Sequence, residues 1–237
     1  MCVNYVPPKK EILISHFEAP LADGYDDTDW KEETWQDYTA PIIRHDLRGQ
    51  RESVLGAYSM VPKDKIPAGM KRFSTMNARA ETVAQLRSYA QPWHDGNLCL
   101  VPMQCFFEPN YESGKAERWR ISLKQAAHFA VAGLYQVWPD TNRPTFSFTQ
   151  LTINADQHSL MKRFHPTGEE KRSLVILHEA HFDAWLSCRQ PEQAQQFLQL
   201  YPADWMQAEA APLPRKAAAP KPQQDTENQS LQGDLFA

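Results

Sequence analysis

The sequence predicts an α+β fold: a mostly antiparallel sheet core with flanking helices and a disordered C-terminal tail. Three observations carry that prediction. Short β-type runs dominate the centre of the chain, helical periodicity is concentrated late, and the two do not alternate as a parallel βαβ sheet would require. After Met206 the composition shifts to Ala, Pro and Gln, which cannot bury enough surface to offset ordering entropy. The domain is therefore placed at residues 1–206 and the tail at 207–237 of the 237-residue chain, a length that suits one core without disulfide or metal staples.

In chain order, Ile12, Leu13 and Ile14 read as a short strand, and Glu18 to Asp37 as an acidic loop whose one base is Lys31. From Val54 short strands alternate with turns. Leu98–Phe107 is an apolar run interrupted by Pro102, and the alternation of Arg118–Leu123 marks a half-buried strand. Phe129–Trp138 and Thr145–Asn154 form a central pair across a turn from Pro139 to Pro144. Asp156–Phe164 has helical periodicity with Asp156 near its start. Ser173–Leu177 is a strand, and His181–Cys188 and Glu192–Leu200 are helices, the second with Pro191 in its first turn.

The formal net charge of −4 argues against a protein that holds duplex DNA by bulk electrostatics, although cations cluster locally at Arg44, Arg48 and Arg51, at Lys63–Arg72 and at Lys162–Arg172. The cysteines Cys2, Cys99, Cys105 and Cys188 show no metal-ligand or Cys-x-x-Cys spacing, which predicts reduced thiols, a cytoplasmic protein and no metal. His178-Glu179-Ala180-His181 lacks the second histidine that a zinc-protease helix would need at position 182, where Phe182 stands, and reads as a helix start. His94, His128 and His158 read as surface or capping residues. No apolar run approaches membrane-spanning length.

The residue best suited to covalent chemistry is Cys2. Removal of Met1 would leave a 1,2-aminothiol whose amine and thiol, with reference pKa values of roughly 8 and 8.5, are both partly nucleophilic near neutrality. Such a pair condenses with an aldehyde to a Schiff base, which the thiolate closes to a five-membered thiazolidine. Taken singly, Cys2 also reads as an ordinary residue at a frayed terminus. Asn77 reads as a turn residue, and Glu108 and His165 as points where a strand or turn meets solvent.

Met1-Cys2-Val3-Asn4-Tyr5, Asn77-Ala78-Arg79-Ala80-Glu81-Thr82, Phe106-Phe107-Glu108-Pro109-Asn110-Tyr111 and His165 after Met161-Lys162-Arg163-Phe164 stand in the order seen in the SRAP family. The chain resembles these SOS-response-associated peptidase-like proteins from Met1 to about Leu186. The resemblance implies a curved sheet, no cofactor and abasic sites in single-stranded DNA as partner. It implies that Cys2 is the covalent nucleophile, that Asn77 holds the terminus and the sugar, that Glu108 sits beside the α-amine, and that His165 is the acid/base at the Schiff base. Arg79 would face phosphate with its planar fork, and Lys171 and Arg172 are the candidate cations after the histidine. The chain departs from the family where Val3 and Asn4 replace a glycine–arginine pair, where Pro109 replaces a tryptophan, and where Pro166 to Glu170 separate His165 from Lys171.

Two rival activities stay open: a cysteine peptidase that removes Met1, with His165 as base, and a non-catalytic adaptor. In the tail, Gln232, Asp234, Leu235 and Phe236 are similar to the bacterial sliding-clamp-binding peptide, with Gly233 in place of the usual leucine. The expected partner there is the clamp, reached through a flexible tether.

Overall fold

The computed structural model describes residues 3–213. Cys2 and the motif at Gln232, Asp234, Leu235 and Phe236 lie outside the described residues. Twelve strands and four short helices follow one another as β1 (Asn4–Val6), α1 (Lys10–Ser15), β2 (Thr39–His45), β3 (Arg51–Tyr58), β4 (Asn77–Arg79), α2 (Ala90–His94), β5 (Leu98–Met103), β6 (Cys105–Asn110), β7 (Glu117–Leu123), β8 (Phe129–Trp138), β9 (Thr145–Asn154), β10 (Arg172–Leu174), β11 (Ile176–Leu177), α3 (Phe182–Ser187), α4 (Pro191–Gln195) and β12 (Met206–Ala210). No described helix is long and apolar enough to cross a membrane.

The predicted α+β class holds, and the sheet closes on itself. β9, β3, β2, β5 and β8 pair in a ring, because β8 returns to pair with β9. All ring contacts are antiparallel except β3 with β9. β10 and β4 add to β9, and β11 adds to β8. Closure needs close approach at Gly133 of β8, where a Cβ would stand 2.8 Å from Val101 Cγ2 and 2.9 Å from both Cys99 Sγ and the Thr149 carbonyl. A second, four-stranded antiparallel sheet has the order β1-β6-β7-β12.

The ring strands bury both faces, so alternate residues enter different cores. Cys99 and Val101 of β5, with Phe129 and Val131 of β8, pack with Tyr5, Phe106 and Ile121 of the small sheet. Leu98 and Leu100, with Ala130, Ala132 and Leu134, pack under Leu13, Phe17, Trp93 and Trp185.

Several sequence expectations are corrected. Ile12–Ile14 lie in α1, not in a strand, with Leu13 buried and Ile14 60% exposed. The helix expected over Asp156–Phe164 is reduced to a 3-10 turn at Met161–Arg163. Its side chains take other partners instead: Asp156 accepts from the Lys171 N–H, and His158 Nδ1 from the Met161 N–H. His158 is thus a capping residue, but a buried one. The helix expected to reach Leu200 ends at Gln195. The predicted boundary at residue 206 falls at the start of a strand: β12 pairs with β7 from Met206 to Ala210, an edge strand held by its ladder and by burial of Met206.

Candidate active site

β6 supplies the first functional side chain. Alternation along this strand turns Phe106, Glu108 and Asn110 to one face, and all three are buried. Glu108 is only 3% exposed. Burial pushes its carboxyl up to about 7, because low-dielectric surroundings penalise the charged form. The carboxyl therefore changes protonation in the range where a general acid/base is most effective.

His165 is brought to Glu108 by backbone pairing. Phe164 bridges to Asn110, and the His165 N–H donates to the Pro109 carbonyl at 3.0 Å. The imidazole Nδ1 then stands 3.7 Å from Glu108 Oε2. Burial drives His165 down to about 4, and the nearby Lys171 and Arg172 charges act in the same direction, while a hydrogen bond to the Arg172 backbone opposes them. The ring is neutral at pH 7 and able to accept a proton. Its backbone is left-handed, with φ +68°, a conformation that costs a non-glycine residue of order 1–3 kcal/mol and persists only where its surroundings enforce it.

Asn77 begins β4, and its backbone stands opposite Gln150 of β9. Gln150 accepts a hydrogen bond from Tyr58 Oη at 3.0 Å, and Tyr58 packs edge-on against Tyr5 of β1, with centroids 5.3 Å apart. A buried polar and aromatic relay thus links the Asn77 register to the first strand.

The three expected DNA cations fare differently. Arg79 is the exposed one and donates to Glu170 at 2.6 Å. Lys171 turns its ammonium inward, to the carbonyls of His165 at 2.9 Å and Pro166 at 2.7 Å. Arg172 is 3% exposed and spends its fork on Glu81, Glu170 and the Thr152 carbonyl. It braces the carboxylates around β4 and β10, and reaching a phosphate would require it to leave them. Beside His165, an open groove of about 540 Å³ runs past Tyr111, Glu112, Lys162, Arg163 and Lys171. Arg163 crosses to Glu112 with two bonds of 2.9 Å and pins the residues before His165 to those after β6.

The sequence reading missed Glu33 and Arg118. Arg118 of β7 lies 3.3 Å above the Phe107 ring, and its Nη2 donates to both carboxylate oxygens of Glu33 at 2.8 Å. Glu33 also accepts from the Asn4 side chain at 2.8 Å. Asn4, where the resemblance led to an expected arginine, is buried and bonded to Glu33, which ties β1 to β7 through Arg118. A reciprocal pair of backbone bonds between Tyr5 and Thr34 holds the other edge of β1. Within β1, Asn4 stands opposite Phe107, so this strand runs toward Glu108 as it is followed back to Val3. The one sequence signal was the family departure at Asn4, which called for a local partner. The thiols of Cys99, Cys105 and Cys188 are all buried, and burial raises each above its ordinary value, so none of the three is an activated nucleophile.

Residues 1–214 match the family model described as SOS response associated peptidase (SRAP). The chain is 32% identical over 139 residues to the abasic site processing protein YoaM of Bacillus subtilis (strain 168), covering 57% of this chain and 58% of that protein. It is 33% identical over 141 residues to the abasic site processing protein YoqW of the same organism, covering 57% and 59%. The matched stretch thus spans under two thirds of these relatives' length. A crystal structure of a protein from Bordetella bronchiseptica superposes with a TM-score of 0.79 at 31% identity, over 90% of this chain and 100% of that one. One from Bacteroides thetaiotaomicron, at 20% identity and a TM-score of 0.70 over 88% of this chain and 91% of that one, shares the fold.

Proposed function

Because the chain belongs to the SOS response associated peptidase family, we propose that it processes abasic sites in single-stranded DNA by forming a covalent crosslink through Cys2. Met1 is first removed by hydrolysis. The ring-opened deoxyribose presents a C1′ aldehyde, which the Cys2 α-amine attacks to give a Schiff base with loss of water. The Cys2 thiolate then adds to the imine carbon, the imine nitrogen takes up a proton, and a thiazolidine results. No redox partner is needed.

The observation that carries the reading is the buried Glu108–His165 pair, 3.7 Å apart, at the end of β6 toward which β1 runs. Glu108, titrating near 7, suits the transfer of a proton from the sugar hydroxyl as the ring opens. Neutral His165 suits the relay of protons at the imine. Asn77 is assigned to the sugar and Arg79 to a phosphate. The likeness to the abasic site processing proteins YoaM and YoqW supports the substrate class, and the family description supports a peptidase-like release of Met1.

The deciding experiment is crosslinking to an oligonucleotide with one abasic site, read on a denaturing gel. The native protein should give a heat-stable adduct, and Cys2→Ala should give none while Cys99→Ala and Cys188→Ala behave as the parent. An undiminished adduct with Cys2→Ala ends the proposal. A protein that retains Met1 yet cleaves peptides would favour the peptidase reading instead. Strand scission beyond the adduct would add a lyase activity. The tail motif at Gln232, Asp234, Leu235 and Phe236 is read in the same spirit as a sliding-clamp docking peptide that raises local concentration at stalled polymerases. Loss of clamp binding in a Leu235→Ala, Phe236→Ala double variant tests it by calorimetry.

A further inference from the structure

We propose that Lys171 is a positioning residue for His165: its ammonium bridges the His165 and Pro166 carbonyls and holds His165 in the left-handed turn that presents the imidazole to Glu108. The proposal rests on the assigned role of His165 for its kinetic consequence, but its structural content stands apart from that role.

Three features of the fold carry it. First, His165 is one of three described non-glycine residues with positive φ, beside Glu18 and Asp37. A side-chain-bearing residue stays in that region only where its neighbours over-determine it. Second, both ends of the His165 peptide unit are held: its N–H by the Pro109 carbonyl, its carbonyl by Lys171 Nζ at 2.9 Å. The same ammonium takes the Pro166 carbonyl at 2.7 Å. It thereby closes the short arc from His165 to Lys171, which contains Gly168 at φ +86°. Third, the strut has a fixed base. The Lys171 N–H donates to Asp156 Oδ1 at 2.8 Å, and its carbonyl accepts from the Ala155 N–H at 2.7 Å. A cation that contacts only water and phosphate needs no such anchoring. The side chain is partly buried, whereas that of Arg79 stands exposed.

The charged and titratable groups that act on the imidazole include Glu108, Lys171 and Arg172. Lys171 therefore acts on His165 twice, by fixing the backbone and by disfavouring the imidazolium. Loss of the ammonium should let the ring drift from Glu108 and should raise its titration midpoint. A contact with DNA phosphate predicts something different: weaker binding and a salt slope smaller by about one.

The test compares Lys171→Met with the parent, full chain in each case. Imidazole proton resonances, with His165 assigned by loss of its signal in His165→Gln, give the His165 midpoint without any DNA. The expected result is an upward shift in Lys171→Met and a parent-like value in Lys171→Arg, which keeps a cation. Crosslinking of saturating abasic oligonucleotide should slow about ten- to a hundredfold in Lys171→Met, as displacement of a reacting group by an ångström does. Affinity for the same oligonucleotide without an abasic site, and its salt slope, should stay as in the parent. An unshifted His165 midpoint overturns the proposal, as does a loss of affinity and salt slope with the single-turnover rate intact. If Lys171→Met does not fold, Lys171→Gln, which keeps a neutral donor at that position, is read by the same two measurements. Absence of any adduct with the native protein would sink the crosslinking reading, while the resonance shift would still decide the strut.

Discussion

Replacing Glu108 by Gln should make the protein more stable in alkaline solution while disabling it. Gln has the shape of the protonated acid and carries no charge at any pH. In the fold the Glu108 carboxyl titrates near 7, against an ordinary value of 4.5. With 1.36 kcal/mol per pKa unit, holding the ionised carboxylate in that site costs about 3 kcal/mol. The sign follows from linkage: the folded state keeps its proton where the unfolded chain has lost it, so stability falls as pH rises from 4.5 through 7 and levels off above that. Below pH 4.5 both states are protonated and the penalty is absent. Urea denaturation of parent and Glu108→Gln at pH 4.5 and pH 8.5 measures it. The variant should gain up to about 3 kcal/mol at the higher pH and little at the lower one. Its rate of adduct formation should fall and lose its pH dependence near 7. Equal stability differences at the two pH values, or destabilisation at pH 8.5, would show that burial does not penalise the carboxylate in the fold, and the acid/base argument would go with it.

His165→Gln should show the mirror image. The folded histidine titrates near 4, so the parent loses stability as pH falls from 6.5 toward 4, and the variant should gain on it at pH 4.5 but not at pH 8. Glu33→Ala removes the Arg118 ion pair and the Asn4 bond. It should cost about 2 kcal/mol by denaturation and slow adduct formation with little change in oligonucleotide affinity; an unchanged rate would show that β1 holds its place without Glu33. Gly133→Ala drives a methyl into Val101, Cys99 and the Thr149 carbonyl at the ring closure, which should lower the melting temperature by the equivalent of about 1–3 kcal/mol.

What the sequence discloses follows from how local its causes are. The β8–β9 hairpin is readable because long β-rich runs flank a turn, and β7 because its alternation survives at one face. Ile12–Ile14 mislead because three apolar residues fit either period, and only the burial of Leu13 beneath the ring selects the helix. The 156–164 segment misleads for another reason: its helical pattern yields to the Asp156 and His158 caps, whose partners lie at Lys171 and Met161. At the site, family motifs point to Glu108 and His165, and the fold brings them together. Charge alone does not tell an inward cation from an outward one. Arg79, Lys171 and Arg172 look alike in sequence, and their fates depend on Glu81, Glu170 and the carbonyls of Thr152, His165 and Pro166. Glu33 was hidden in the same way, as one carboxylate among many in an acidic stretch.

The order in which strands find their partners also bears on how the protein is made. A ribosome releases β1 first, yet β1 lies against β6, and its sheet is finished only when β12 pairs with β7. The ring, too, waits for β9, which must pair with both β3 and β8. His165 arrives later still. A nascent or truncated polypeptide therefore carries Cys2 long before it carries Glu108 and His165 side by side, and on the proposed function such a product would not align an aldehyde for crosslinking. Long-range pairing of this kind makes folding slow. It also means that a prematurely terminated chain cannot bring Glu108 and His165 together.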